Sequence, residues 1–394
     1  MRLNTAALLV AYTICFSAQL SHGAEPQRVP WGEISELGQG RFQFRITNPP
    51  QDGLLPLPEG FPHVLACGVN SDPPRFVPVA FDPKGTVVSV DIASHSVAGA
   101  IAMVQTAEAS QQFDDGRIVF SARDAQVHGT HAKLESNPGN HRIGYWTSPQ
   151  DFVSWDYKAS RWGMYRILLT YSSAGSDGTE IEVELTDKPD QPIKQSATLA
   201  STGSWYRYTT LDLGTHYVST AGPKTLTVRC TQLKGAAVMN LKSVLLIPAC
   251  EGKPPVPAAD GSITLHARDS TVHGTMLRWE PAEAKQTLGY WIRPSDYASW
   301  EVTLEQPGTF DVDVWQGCGT GQGGSTMRIG TVSQPIEWTV EETGHFQNFK
   351  QRTIGRLTFD QPGTYVIEAG PVKIANKAAC DIRQIQLRPA PPAN

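Results

Sequence analysis

The sequence predicts an all-β, multidomain protein, with two tandem β-sandwiches of the jelly-roll type preceded by a small β-domain. The main observation is an internal repeat, supported by short runs of alternating apolar and polar residues between turn-forming residues. At an offset of 145 residues, 122–156 and 267–301 share 15 identities in 35 positions without a gap. Both copies contain Gly-Tyr-Trp, at 144–146 and at 289–291. Two homologous modules therefore follow one another.

The strands of each module can be read from their periodicity. The segment 165–171 follows Gly163, and its counterpart 310–315 follows Gly308 with clean alternation of apolar and polar residues. Such alternation places every second side chain on one face, as in a half-buried strand. Strand-like runs recur about every ten residues with Gly, Pro, Asp or Ser between them, which favours a sandwich over a parallel sheet. No amphipathic helix longer than two turns is predicted.

The domain boundaries follow from the repeat and from composition. A positive start at Arg2, an apolar run and small residues predict an export signal. No later run approaches 18 apolar residues, so we expect no membrane span and a secreted, periplasmic or cell-surface protein. The predicted boundaries are 1–24 for the signal, 31–115 for the small β-domain, 116–250 for the first module, 251–260 for a Pro-rich linker and 261–390 for the second module.

Charge and cysteine content exclude some classes of protein. The formal net charge is −5 and there is no basic stripe, which argues against a nucleic-acid partner. After the predicted signal five cysteines remain, at 67, 230, 250, 318 and 380. This odd number at wide spacing favours buried free thiols. The pairs Cys230–Cys250 and Cys318–Cys380 are the alternatives.

Several chemical motifs are better explained by structure than by catalysis. His128 and His131 have metal-ligand spacing, but the second copy carries Met276 at the position of His131. The glycines at 319–324 match a dinucleotide fingerprint, but the segment after them is strand-like rather than helical. We find no sign of paired catalytic carboxylates and no nucleophile motif. The sequence therefore predicts no catalytic residues and no metal ligands.

The order of motifs resembles the galactose-binding-like β-sandwich of family 6-type carbohydrate-binding modules. In the first module this order is Asp124, Gly129, Gly144-Tyr145-Trp146, Trp155-Asp156 and Gly163. The glycine-rich run 316–325, the segment 343–355 and the segment 381–385 are similar to accessory domains of secreted bacterial α-L-fucosidases (glycoside hydrolase family 29) and of some sulfatases. The resemblance implies glycan binding. The catalytic barrel of such a fucosidase is absent, because no stretch has the required 250 residues or so of alternating strand and helix.

The resemblance also bears on cofactors. Family 6-type modules usually begin with Ala-Glu, where the Glu helps to hold a structural calcium, but Arg123 and Arg268 stand in its place. We therefore predict no cofactor, with calcium near the adjacent Asp124 or Asp269 as the alternative.

Aromatic residues beside turns are the candidates for sugar contact, because sugars need flat apolar surfaces and directed hydrogen bonds. The repeated tryptophans at 146, 155, 291 and 300 are expected in the core instead. The predicted carbohydrate-binding residues are Tyr171, Trp205, Tyr206, Trp315, His345 and Asn348.

The leading hypothesis is a non-catalytic carbohydrate-binding protein whose partner is a polysaccharide or glycan. A second hypothesis is a structural or protein-interaction subunit that docks onto a glycan-degrading enzyme. A third is a fucosidase-related or other hydrolase or lyase with an unrecognised site. An exposed aromatic platform would favour the carbohydrate-binding protein. A large apolar patch would favour the protein-interaction subunit, and a buried carboxylate pair would favour the enzyme.

Overall fold

A computed structural model describes residues 25–69, 79–80, 87–89, 101–137, 140–188 and 191–391. Within these residues every regular element is a strand, apart from two 3-10 turns at Ala122–Asp124 and Ala267–Asp269. The all-β prediction is therefore confirmed. The described chain divides into two compact units, one of 25–251 with 272–278 and the other of 252–271 with 279–391.

The N-terminal part of the first unit has one main sheet, with strand order β1-β2-β3-β8-β5. Trp31, Phe44, Ile46 and Val104 lie in its core, and the indole nitrogen of Trp31 donates to the carbonyl of Pro56 at 2.9 Å. The sequence of this part also predicts strands at 42–46, 63–69, 76–81, 86–92 and 98–105. The first two correspond to β3 and β5, and the described residues of 98–105 belong to β8, whereas 76–81 and 86–92 lie partly outside the described residues. The strands are β1 (Gln27–Val29), β2 (Gly32–Gly38), β3 (Arg41–Ile46), β4 (Leu54–Pro56), β5 (Val64–Val69), β6 (Val79–Ala80), β7 (Val87–Ser89), β8 (Ile101–Thr106) and β9 (Gln111–Gln112).

The first module is a sandwich of two antiparallel sheets, ordered β12-β13-β20-β15-β18 and β11-β14-β19-β16-β17. β10 and β6 also join the first sheet, on β20 and β18 respectively. Alternate residues of both sheets, such as Ile167, Leu169, Ile181 and Leu226, fill one core. The strands are β10 (Ile118–Ser121), β11 (Gln126–His128), β12 (Lys133–Asn137), β13 (Asn140–Gly144), β14 (Phe152–Ala159), β15 (Gly163–Ser173), β16 (Glu180–Lys188), β17 (Gln191–Thr198), β18 (Ser204–Val218), β19 (Gly222–Gln232) and β20 (Asn240–Pro248).

The outer face of the first sheet is also covered, by the N-terminal part of the same unit. Leu168 and Leu245 point away from the sandwich core and pack with Leu65 and Val119 in a second cluster. This explains why β15 has an almost continuous apolar run, because a strand buried on both faces needs no polar alternation. The N-terminal part and the first module thus share a core.

The second module repeats this topology, with strand orders β24-β31-β26-β29 and β25-β30-β27-β28 and with β21 on β31. On β26, Val312 and Val314 are buried in the core, while Asp311 and Asp313 lie on the opposite face and pair with Arg356 and Arg388. The strands are β21 (Ile263–His266), β22 (Thr271–His273), β23 (Arg278–Glu280), β24 (Thr287–Gly289), β25 (Tyr297–Leu304), β26 (Gly308–Gly317), β27 (Thr326–Thr331), β28 (Gln334–Thr339), β29 (Lys350–Phe359), β30 (Gly363–Lys373) and β31 (Asp381–Pro389).

Candidate functional site

The tyrosine of each repeated Gly-Tyr-Trp sequence has a backbone conformation that bulky residues rarely adopt. The φ angle is 52° at Tyr145 and 65° at Tyr290. This left-handed region costs a residue with a Cβ roughly 1–2 kcal/mol. Both side chains nevertheless reach solvent, with 58% and 43% of their surfaces exposed. Strain that both copies retain at an exposed aromatic residue indicates a functional position.

The residues that follow hold this turn in the same way in both modules. Trp146 and Trp291 are fully buried, and their indole nitrogens donate to the carbonyls of Asp151 at 3.1 Å and Asp296 at 2.9 Å. The tryptophans therefore belong to the core, as the sequence predicted. Their burial fixes the preceding tyrosine at the protein surface, because a residue anchored on one side leaves its neighbour to face outward.

A polar cluster lies beside Tyr145 in the first module. A Cβ on Gly144 would collide with the carboxylate of Glu135 and with the amide oxygen of Asn240, so the backbone passes directly against both side chains. Arg142 binds Glu135 through two hydrogen bonds, of 3.0 and 2.7 Å. The amide nitrogen of Asn240 donates to the carbonyl of Trp205 at 2.8 Å. The sequence-predicted Trp205 is thereby linked to this cluster.

Two exposed aromatic rings border the cluster, and each carries a cation. Tyr206 is 49% exposed and lies under the guanidinium of Arg142, whose central carbon is 5.1 Å from the ring centroid. The ammonium of Lys133 is 3.9 Å from the ring centroid of Tyr145. Aromatic surfaces next to directed donors and acceptors are the combination that a sugar requires.

The second module has two carboxylates at the equivalent place. Glu280 and Asp381 are both buried, and a Cβ on Gly289 would lie 2.5 Å from one Glu280 oxygen and 3.4 Å from one Asp381 oxygen. Lys285 neutralises Glu280 through an ion pair of 2.6 Å. Burial, and then the charge of Glu280, raise the pKa of Asp381 to about 7. This module thus places an ionisable carboxyl beside its exposed tyrosine, Tyr290.

The predicted segment around His345 reaches this cluster through a residue that was not predicted. Gln347 donates its side-chain amide to Asp381 at 3.1 Å. His345 and Asn348 are exposed, and their side chains form hydrogen bonds within the loop: the His345 ring accepts from the Gln347 backbone, and the Asn348 amide donates to the Thr343 carbonyl. Both residues shape the loop that presents Gln347.

Two of the predicted residues lie elsewhere. Tyr171 is only 2% exposed, packs in the core of the first module and donates its hydroxyl to the carbonyl of Ala200 at 2.9 Å. This corrects the expectation for Tyr171, since a ring enclosed by the core cannot stack on a sugar. Trp315 is half-buried on β26, between the core residues Val314 and Gln316, and therefore lies on the outer face of its sheet.

The glycines after β26 serve close packing. A Cβ on Gly317 would collide with the backbone of Phe346, and one on Gly319 would lie 2.8 Å from the Phe346 ring. The chain then enters the strand β27 rather than a helix, as expected for a glycine-rich loop.

The histidines, aspartates and cysteines that the sequence offered for metal binding or disulfides have other roles or partners in the structure. His128 bonds Ser154 at 2.8 Å and stacks on Phe152, which fits a role in supporting its strand. In the part of the chain that the structure describes, no group of three or more His, Cys, Asp or Glu side chains could hold a metal ion. The carboxylate of Asp124 accepts from the backbone nitrogen of Ser110, and that of Asp269 from Lys253. The thiols of Cys67, Cys230, Cys318 and Cys380 are free, so neither of the two alternative disulfides is formed.

The solved structures that are similar to this chain include a lyase and two carbohydrate-binding modules, all at low TM-scores. No protein-family model matches the chain, and no curated protein matches its sequence. A Paenibacillus xanthan lyase aligns with 94% of this chain at a TM-score of 0.31 and 11% identity, and the chain spans only 36% of the lyase. A family 35 carbohydrate-binding module from Clostridium thermocellum aligns over 34% of this chain and 99% of its own, at 0.29 and 17%. The C-terminal family 6 module of a Zobellia galactanivorans laminarinase gives the same coverages, at 0.27 and 17%. None of these three is a fucosidase or a sulfatase.

Sequence reasoning missed the central residues of the site. Tyr145 and Tyr290 were seen only as parts of the repeat, and Glu135 and Glu280 are also identical between the copies at the same offset. A signal was present, because Gly-Tyr-Trp and the glutamate survive in both diverged copies, although the residues on either side of the glutamate change. Among the described residues, no helix is long and apolar enough to cross a membrane.

Proposed function

We propose that the chain is an exported, non-catalytic carbohydrate-binding protein in which each of the two modules carries one sugar site. The observation that carries this proposal is the exposed, left-handed tyrosine that both copies retain, at Tyr145 and Tyr290. A rigid aromatic ring at the surface offers a stacking face, and the adjoining polar groups offer hydrogen bonds to hydroxyls. Two modules on one chain would add avidity for a polymer.

A glycan-array screen of the full chain, compared with Tyr145→Ala, Tyr290→Ala and the double variant, tests this proposal. We expect each single variant to bind more weakly and the double variant to lose binding. Tyr217→Ala is the matched control, because it removes a ring at the opposite end of the strand that carries Tyr206. Thermal melts should accompany the screen. Retained binding by a folded double variant would reject the sites proposed here.

A second candidate function is hydrolysis at the second module, and the buried pair of Glu280 and Asp381 favours it. A carboxyl whose pKa is raised to about 7 could act as a general acid near neutral pH, with a second carboxylate beside it. Incubating the protein with every glycan that it binds, and analysing the products by mass spectrometry, separates the two functions. Product formation that disappears in Asp381→Asn would favour the hydrolase, whereas binding without products favours the lectin-like protein.

A further inference from the structure

The two candidate sites have similar backbone frames but different charged groups. In the first module, Arg142 and Lys133 outnumber the single carboxylate of Glu135. In the second module, Arg278 aligns with Lys133, and its guanidinium lies over the ring of Trp162. The neutral Thr287 aligns with Arg142, and β31 begins with Asp381 where β20 begins with Asn240. The first site therefore carries a net positive charge, whereas in the second site Lys285 neutralises Glu280 and Asp381 adds a further carboxyl.

The cations of the first module lie against its two exposed aromatic rings. The ammonium of Lys133 is over the ring of Tyr145 and the guanidinium of Arg142 is over the ring of Tyr206, so each charge lies directly beside an aromatic surface. Arg142 is buried and fixed by its bidentate bond to Glu135, whereas Lys133 is exposed. A flexible ammonium with three donors can turn from the ring towards a ligand.

Neighbouring groups add to the positive potential around this site. Desolvation first, and then the charges of Arg123, His63 and Lys242, lower the pKa of His141, which precedes Arg142 on β13. Burial, followed by the charge of Arg142, lowers the pKa of Lys242 to about 7. Burial is the main cause of both shifts, and nearby cations contribute to each.

We propose that the site of the first module binds a pyranose carrying an oxyanion, either a carboxylate or a sulfate ester, whereas the site of the second module takes uncharged sugars. This inference rests on the proposed function, because it assigns a ligand class to each of the two sites. Lys133 forms the charge-assisted hydrogen bond to the oxyanion in the first site. In the second site, Lys285 neutralises Glu280 and the buried carboxyl of Asp381 disfavours an anionic ligand, so that the two sites select different sugars.

The experiment uses the full chain with Tyr290→Ala, so that only the first site is active. Binding is measured on immobilised neutral glycans, uronate-containing glycans and sulfated glycans, and then repeated with Lys133→Met added. Methionine keeps the apolar stem over Tyr145 and removes the charge. Lys194→Met, which changes an exposed lysine on the other sheet, is the matched control. We expect about tenfold weaker binding of the anionic glycans by Lys133→Met, with no change for the control.

This experiment distinguishes carboxylate from sulfate, and it distinguishes the inferred ligand class from sugar binding itself. A preference for uronates over sulfates, or the reverse, identifies the oxyanion. Equal binding of neutral and anionic glycans, or a Lys133→Met variant that binds anionic glycans as well as the parent does, would overturn the inference and leave the proposed function standing. Absence of binding to every glycan by the folded parent chain, with both tyrosines intact, would overturn both.

Discussion

The indole nitrogen of Trp146 donates to the backbone carbonyl of Asp151 at 3.1 Å, which ties the turn at Tyr145 to the loop before β14. The side chain of Asp151 binds a different loop, the one that precedes β12. Its carboxylate, 2% exposed, accepts from the backbone nitrogens of His131 at 2.8 Å and Ala132 at 2.6 Å. Asp151 thus connects two loops at one end of the first module, and the exposed tyrosine stands between them in sequence.

Asp151→Asn should destabilise the first module by about 2 kcal/mol near neutral pH, because an amide group accepts these hydrogen bonds less strongly than a carboxylate. Burial alone would raise the pKa of Asp151, but the backbone donors more than offset burial and lower it. A lowered pKa means that this stabilisation is present above about pH 4 and is lost as the pH falls through the folded value.

Urea unfolding of the wild type and Asp151→Asn at pH 7 and at pH 3 measures this difference. The gap between the two proteins should be smaller at pH 3. Asp360→Asn, at an exposed position of the second module, should show no gap at either pH. A gap that is the same at both pH values would contradict the assigned role of the carboxylate.

Tyr145→Gly should be more stable than Tyr145→Ala by about 1 kcal/mol, because glycine adopts a φ of 52° without the penalty that a Cβ imposes. The corresponding pair at Tyr290 should behave in the same way. Both substitutions remove the ring, so the comparison isolates the backbone term from any loss of packing. Differential scanning calorimetry of the four variants provides the measurement.

Sugar binding by these four variants tests whether the strained backbone serves the aromatic ring. We expect the glycine variants to be as defective in sugar binding as the alanine variants, which would mean that the strain accompanies the ring for a functional reason. Alanine variants that are as stable as the glycine variants would mean that the left-handed conformation carries no strain.

Asp381→Asn should stabilise the second module at pH 8 and have little effect at pH 5. The pKa of Asp381 is raised from 3.8 to about 7 by burial and by Glu280, so the folded protein binds this proton more tightly than the unfolded chain does. Wild-type stability therefore falls as the pH rises from about 4 to about 7. The asparagine lacks this dependence and still accepts from Gln347 through its amide oxygen.

Thermal melts of both proteins between pH 5 and pH 8 test this sign. We expect a gain on the order of 2 kcal/mol for the variant at pH 8. Comparing the two proteins at each pH cancels the contribution of Glu251, whose pKa burial also raises to about 7. A variant that is less stable than the wild type at pH 8 would mean that Asp381 is ionised and stabilising there.

Leu65→Ala should loosen the first module as well as the N-terminal strands, because Leu65 packs with Leu168 and Leu245 in one cluster. Removing a buried leucine side chain costs about 2–5 kcal/mol. Hydrogen exchange should accelerate in β15 and β20 together with β5, since the hydroxyl of Ser243 also donates to the carbonyl of Leu65 at 3.1 Å. Acceleration confined to residues 25–69 and 101–113 would mean that the two parts unfold independently.

Much of the fold could be predicted because its signals are local. The repeat aligned β14 with β25 and β15 with β26, and alternation along 310–315 identified which residues of β26 face the core. The burial of Trp146, Trp155, Trp291 and Trp300 was also expected, because aromatic residues at fixed strand positions usually fill a sandwich. The site was harder to predict, because the sequence identified Trp205 and Tyr206 only as aromatic residues beside a turn and did not indicate their neighbours.

The amino-acid sequence alone determined the all-β class and the two homologous modules, because periodicity, turn residues and a repeat are properties of neighbouring residues. Only the tertiary structure decided that Tyr171 lies inside the core and that Tyr145 and Tyr290 are exposed in a left-handed conformation. It also brought Glu280 to Asp381 across about a hundred residues of chain. The physical reason is that burial and the pKa of a carboxyl depend on groups that are close in space, whatever their distance along the chain.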